Sequence, residues 1–188
     1  MPLNLPTTLT VFRLCAALGI SVVFVMLPAQ YSAVVALSLF AVASITDWLD
    51  GFIARRWKQE TELGAMLDPI ADKALVLVSL FAIIGLHGLN MWLFFPAIII
   101  VFREILVSGI REFVANKNTR ITVTFAAKIK TTIQLIAIAG LLFSGCIASL
   151  SQEWHNGIYS VSVIFLWVAA GLTMFTGWDY FRKSVAVL

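Results

Sequence analysis

Charged residues are what this sequence has least of: Lys, Arg, Asp and Glu together make up 12% of 188 residues, against 61% apolar. A soluble domain carries about a quarter charged residues, so that class is excluded. Cysteine is also scarce. Cys15 and Cys146 both lie in apolar runs, which excludes a disulfide framework or zinc site and reads as two buried packing residues. The two histidines, His87 and His155, fall at the membrane end remote from the acidic residues and receive no catalytic role. The first ten residues lack a basic n-region, and no small-residue cleavage site closes the first apolar run, so that run is expected to stay in the mature protein. No repeat or low-complexity tract interrupts the chain, and residues 1–188 are expected to form one membrane domain.

What is present is a series of long apolar runs. Residues 9–27, 31–53, 65–86, 91–114, 123–147 and 158–180 each reach the roughly 20 residues needed to cross a ~30 Å hydrocarbon core. Pro28, Gly88 and the polar stretch 149–156 punctuate the turns between them. The expected fold is therefore all-α and polytopic, with about six transmembrane helices. Arg55, Arg56 and Lys58 follow the second run, Arg111, Lys117, Arg120, Lys128 and Lys130 surround the fourth connection, and Arg182 and Lys183 follow the sixth run. The alternate connections contain no Lys or Arg. The positive-inside rule then places both termini and the charged loops in the cytoplasm. Trp48, Trp57, Trp92, Trp154 and Tyr180 suit interfacial belts.

The acids are concentrated where two of these helices meet that cytoplasmic boundary. Asp47, Asp50, Gly51 and Ala54 follow an i, i+3, i+4, i+7 pattern and share a helix face; Asp68 and Asp72, four apart, share another. Carboxylates at membrane depth are costly without partners, and Arg55 and Lys73 offset only part of four negative charges. Divalent cations resolve the conflict, and an oxygen-only donor set favours Mg²⁺ or Mn²⁺ over zinc. Gly51 and Ala54 permit close approach of either a neighbouring helix or a ligand. A structural ion-pair cluster is the first competing reading, opposed by the excess of acids over adjacent bases. A transporter's cation pathway is the second, opposed by the acids' position at one membrane end and not at the midplane.

The spacing D-x2-D-G-x2-A-R-x8-G-x3-D-x3-D, from Asp47 to Asp72, resembles the signature of the CDP-alcohol phosphotransferases, with all its fixed positions present. Asn4, Pro6, Thr7, Thr10 and Arg13 near the start, Arg103-Glu104 and Arg111-Glu112, and Lys128, Lys130, Thr131 and Gln134 are similar to bacterial members that make phosphatidylglycerophosphate. The resemblance covers most of the chain and weakens after about residue 134. It implies two metal ions held by Asp47, Asp50, Asp68 and Asp72. It further implies a CDP-linked donor seated by Asp50, Gly51, Ala54, Arg55 and Gly64, Asp72 as the base, a homodimer, and a bacterial inner (cytoplasmic) membrane location with the site facing the cytoplasm.

On that basis the expected reaction moves the phosphatidyl group of CDP-diacylglycerol to sn-glycerol 3-phosphate and releases CMP. Two metals clamp the pyrophosphate and one carboxylate accepts the alcohol proton. A phosphorylated acceptor requires its own cations, and Arg103, Arg111, Lys128 and Lys130 are the expected acceptor-phosphate residues. Adjacent helical residues do not face each other, so Arg103 and Glu104, and Arg111 and Glu112, need not be mutual partners. Lys128 and Lys130 also read as topology determinants, and Asp179 reads as a solvated helix-end residue. No nucleic-acid partner is expected. A different acceptor, such as inositol phosphate or phosphatidylglycerol, is the alternative within the enzyme class, and a non-catalytic cation-binding protein the alternative outside it.

Overall fold

Six helices account for the regular structure among the described residues: α1 (Leu5–Met26), α2 (Ala29–Trp57), α3 (Glu62–His87), α4 (Met91–Ala115), α5 (Phe125–Ile147) and α6 (Gln152–Val185). The computed structural model describes residues 5–57, 61–115 and 125–185, and no strand occurs among them. Among the described residues five helices are long and apolar enough to cross a membrane, and a shorter apolar stretch runs over Tyr31–Asp47 in α2. The chain is a multi-pass, all-helical membrane protein.

Local chemistry explains the boundaries. The Pro28 carbonyl accepts from the amides of Tyr31 and Ser32, opening α2 directly after α1. Gly88, at φ +78°, closes α3 in a conformation that glycine adopts without a Cβ penalty. The Asn90 side chain then accepts from the Leu93 amide at 2.9 Å, an N-cap for α4. The expected polar turn over residues 149–156 is shorter than the sequence suggested. Helix resumes at Gln152, whose amide reaches Asn156 one turn on, and Glu153 stands in the first turn against the positive helix end. At the other end α6 continues past Tyr180 to Val185, and α2 extends beyond residue 53 to Trp57.

The packing pattern is that of a bilayer protein. Large apolar side chains such as Leu18, Val25, Phe81, Phe102, Phe175 and Trp178 face outward, while the buried stripes carry small and polar residues. Cys15 corrects the expectation of two buried cysteines, since it too faces outward; both thiols are free.

The chain divides into two compact units. The first combines Met1–Gly88 with Ile138–Tyr159. Within it α1 packs against α2 and α3, and the buried apolar residues include Ala16, Ala17 and Ile20 on α1, Ala33, Ala36, Phe40 and Ala43 on α2, and Ala71, Leu75 and Ile83 on α3. Gly145 admits close approach: a Cβ there would press on Leu86 and lie 3.2 Å from Ala33. His87 and His155 are tied to the backbone of α5 through Leu141 and Ser144 and cluster with Tyr159. They line a cavity of about 640 Å³ with Pro28, Leu86, Gly145, Ala148 and Ser149.

The second unit combines Leu89–Ala137 with Ser160–Leu188. Leu93, Ala97, Ile100, Arg103 and Val107 form the buried stripe of α4, and Leu166, Ala169, Thr173, Thr176 and Tyr180 that of α6. Pro96 lies inside α4 and has no amide to give the Trp92 carbonyl one turn back. The indole N–H of Trp167 donates to that carbonyl at 2.9 Å, replacing the missing bond from α6.

Candidate active site

Three of the four sequence-predicted aspartates converge in the first unit. Asp47 ends the apolar stretch of α2, and Asp68 and Asp72 lie one turn apart on α3. One carboxylate oxygen from each comes within 4.8 Å of the other two. Their side chains are 42%, 49% and 49% exposed, so the cluster is open on one side. Asp50, Gly51, Ala54 and Arg55 fall on α2, but their side chains lie outside the described residues. Lys58, Lys117 and Arg120 are likewise outside them.

Beneath the carboxylates sits a residue that the charge analysis passed over. Arg13 of α1 is completely buried, and its Nη1 meets Asp47 at 2.7 Å, Asp68 at 3.2 Å and Asp72. It belongs to the α1 stripe of Arg13, Ala16, Ala17 and Ile20, which follows i, i+3, i+4, i+7 and faces the protein interior. The signal was available in the sequence. An arginine inside an apolar run is costly unless acids partner it, and only the partner's position in a distant helix was missing.

The start of α3 is held against α1 by hydroxyls. Thr61 caps α3, its Oγ1 accepting from the Gly64 amide at 3.0 Å, and the same hydroxyl bonds Thr7 at 2.6 Å. A Cβ on Gly64 would lie 2.9 Å from Thr61 Oγ1 and 3.1 Å from Thr7 Oγ1. Glycine is therefore required there by close packing, whatever its part in donor binding.

The residues present fit a divalent metal. Three carboxylates without nitrogen or sulfur make a hard oxygen donor set, and their spacing already surrounds one cationic group, the Arg13 guanidinium.

The sequence-predicted acceptor residues lie in the second unit, where three of the four enter a polar network. Arg103 is buried and donates through Nη2 to Thr176 Oγ1 at 2.9 Å. Its Nη1 also reaches Glu104 at 3.5 Å, because the guanidinium is long enough to bend back along the helix. Glu104 is the closer partner of Lys130, which is buried on α5. Arg111 donates to the Tyr180 hydroxyl at 2.8 Å, and its guanidinium carbon stands 4.9 Å from that ring's centroid. Lys128 is exposed and apart from this network. Thr176 and Tyr180 were not singled out as site residues, since hydroxyls on an apolar helix carry no motif, and Glu104 was noted only as part of the Arg103-Glu104 resemblance. Asp179 pairs with Lys183 at 2.6 Å on the surface, in accord with a solvated helix end.

Comparison with known proteins shows the family. The family model described as CDP-alcohol phosphatidyltransferase matches residues 3–175. A protein of Cereibacter sphaeroides is 42% identical over 98% of this chain and 97% of its own length. One of Haemophilus influenzae is 37% identical over 98% and 95%, and one of Escherichia coli 37% identical over 100% and 98%. All three are named CDP-diacylglycerol–glycerol-3-phosphate 3-phosphatidyltransferase. Carboxylates gathered at one end of a helical membrane unit, in a chain matched over nearly its whole length, place it in the CDP-alcohol phosphatidyltransferase family.

Proposed function

We propose that this protein transfers the phosphatidyl group of CDP-diacylglycerol to sn-glycerol 3-phosphate, forming phosphatidylglycerophosphate and CMP. The observation that carries the reading is the convergence of Asp47, Asp68 and Asp72, in a chain whose near full-length relatives bear the name of that activity. Residues 1–188 then act as one catalytic membrane domain, in the bacterial inner membrane, as a homodimer, with the site open to the cytoplasm.

In this mechanism Asp47, Asp50, Asp68 and Asp72 would hold two Mg²⁺ or Mn²⁺ ions. Bound there, such ions would supply positive charge against the donor pyrophosphate and the departing CMP. Asp50, Gly51, Ala54, Arg55 and Gly64 seat the CDP portion. Arg103, Arg111, Lys128 and Lys130 hold the acceptor phosphate, and the network itself favours a dianion. With Glu104 offsetting one of their charges, these four residues leave an excess of positive charge that suits the roughly −2 of a phosphate monoester near neutral pH. The acceptor hydroxyl attacks the lipid-side phosphorus, the bond from that phosphorus to the CMP oxygen breaks, and Asp72 takes the hydroxyl proton.

The deciding measurement is CMP release by purified protein given CDP-diacylglycerol and a panel of alcohols. Glycerol 3-phosphate is expected to be the preferred acceptor, and preference for an unphosphorylated alcohol refutes the assignment. Excess chelator is expected to abolish turnover and added Mg²⁺ or Mn²⁺ to restore it; undiminished turnover in chelator removes the metal from the mechanism.

A further inference from the structure

The last helix carries no acidic or basic residue assigned to the reaction, yet it makes the contacts that shape the basic network. Thr176 and Tyr180 are one turn apart on α6 and buried. Arg103 and Arg111, two turns apart on α4, are bonded one to each of them. Between these contacts Gly177 leaves room for the arginine stem: a Cβ there would lie 3.0 Å from Arg103 Cγ and 3.4 Å from its Nε. Thr176 is itself anchored, its hydroxyl donating to the Leu172 carbonyl at 2.9 Å while its remaining lone pairs can face Arg103.

We propose that α6 is the positioning helix of the acceptor site, with Thr176, Gly177 and Tyr180 fixing the two guanidiniums in the orientation that selects a phosphorylated alcohol. The inference rests on the reading of Arg103 and Arg111 as acceptor-phosphate residues and adds the residues that aim them. The physical reason is geometric. A guanidinium presents five N–H donors in a rigid planar fork, so tethering one nitrogen and stacking the plane sets the direction of the others. Tyr180 does both to Arg111, through its hydroxyl and its ring face. Thr176 tethers one Arg103 nitrogen by a hydrogen bond, and Gly177, having no Cβ, leaves the space that the Arg103 stem occupies. An untethered arginine could still attract anions, but it would lose orientation and with it discrimination between a phosphate monoester and a neutral polyol.

The test separates this inference from the reading beneath it. Arg111→Lys, assayed first in the full-length purified protein, is expected to raise the KM for glycerol 3-phosphate. If it does not, the acceptor reading fails and the inference with it. Tyr180→Phe and the near-isosteric Thr176→Val are then expected to raise that KM about tenfold, the loss of one well-aimed charge-assisted hydrogen bond. The KM for CDP-diacylglycerol is expected to stay within about twofold, since the donor contacts are untouched. The preference for glycerol 3-phosphate over glycerol, compared by kcat/KM, is expected to fall in parallel. Gly177→Ala is expected to act in the same sense by displacing Arg103, and the two hydroxyl variants decide the matter if it does not fold. If Arg111→Lys raises the acceptor KM while Tyr180→Phe and Thr176→Val leave it unchanged, or shift both substrates equally, α6 is a structural helix and the inference is overturned.

Discussion

Without the Arg13 guanidinium, three carboxylates would stand within 4.8 Å of one another and no described cation would be bonded to all of them. Arg13 therefore holds the site together before any metal arrives, at a depth where neither an isolated arginine nor clustered acids would be tolerated alone. Arg13→Met is expected to destabilise the protein in chelator by about 2 kcal/mol, below the loss for a fully buried pair because the acids are half-exposed. Thermal unfolding in detergent checks this, and the variant should gain more from added Mg²⁺ than the parent does. An equal gain in both proteins would leave Arg13 with no part in ordering the carboxylates. Asp72 is one of Arg13's partners and also the proposed base. Asp72→Asn preserves its shape while removing both its charge and its capacity to take a proton. Turnover is expected to fall by roughly 10²-fold to 10⁴-fold, the range for loss of a general base, with donor binding largely kept. Turnover near the parent's would reassign the base.

Helices in this protein are joined by the backbone groups that local sequence leaves open. Pro96 interrupts the hydrogen-bond ladder of α4, and Trp167 of α6 supplies the donor that Pro96 cannot. Water is scarce at membrane depth, so a carbonyl freed by proline must find a partner in a neighbouring element. Trp167→Phe keeps an aromatic side chain but removes the N–H together with the pyrrole part of the indole, and is expected to cost at least about 1 kcal/mol, seen as a lowered thermal midpoint. An unchanged midpoint would show that the bond adds nothing to the α4 and α6 contact. The boundary between α2 and α3 follows a similar logic: Thr61 caps α3 and binds Thr7, so one hydroxyl fastens two helix starts, and Gly64 must stay small beside it.

For the whole molecule, the alternation of basic and uncharged connections predicts which ends of the helices face the cytoplasm. Asn156 is exposed near the start of α6. Asn156→Cys, in a background whose native cysteines are replaced by alanine, is expected to label with a membrane-impermeant thiol reagent from outside intact cells. Labelling only after the cells are opened would invert the proposed topology and carry the aspartate site to the other side of the membrane.

How much of this was legible in advance follows from the range of the forces involved. Six apolar stretches, their Pro and Gly punctuation and the aspartate faces on α2 and α3 are local patterns, determined by helix periodicity and by the cost of leaving backbone or charge in lipid. They predicted the helices and the acidic faces, while the family came from the resemblance of the Asp47 to Asp72 spacing to a known signature. Helix ends were less legible at 152–156, because side chains that suit a turn also suit a first helical turn. What only the tertiary structure decided were the partners: Arg13 beneath Asp47, Asp68 and Asp72, Thr7 on Thr61, Trp167 on the Trp92 carbonyl, and Thr176 and Tyr180 on Arg103 and Arg111. Each pair is separated by more than 30 residues and leaves no periodic trace, since a hydrogen bond between helices depends on where two faces are packed together and not on spacing along either one.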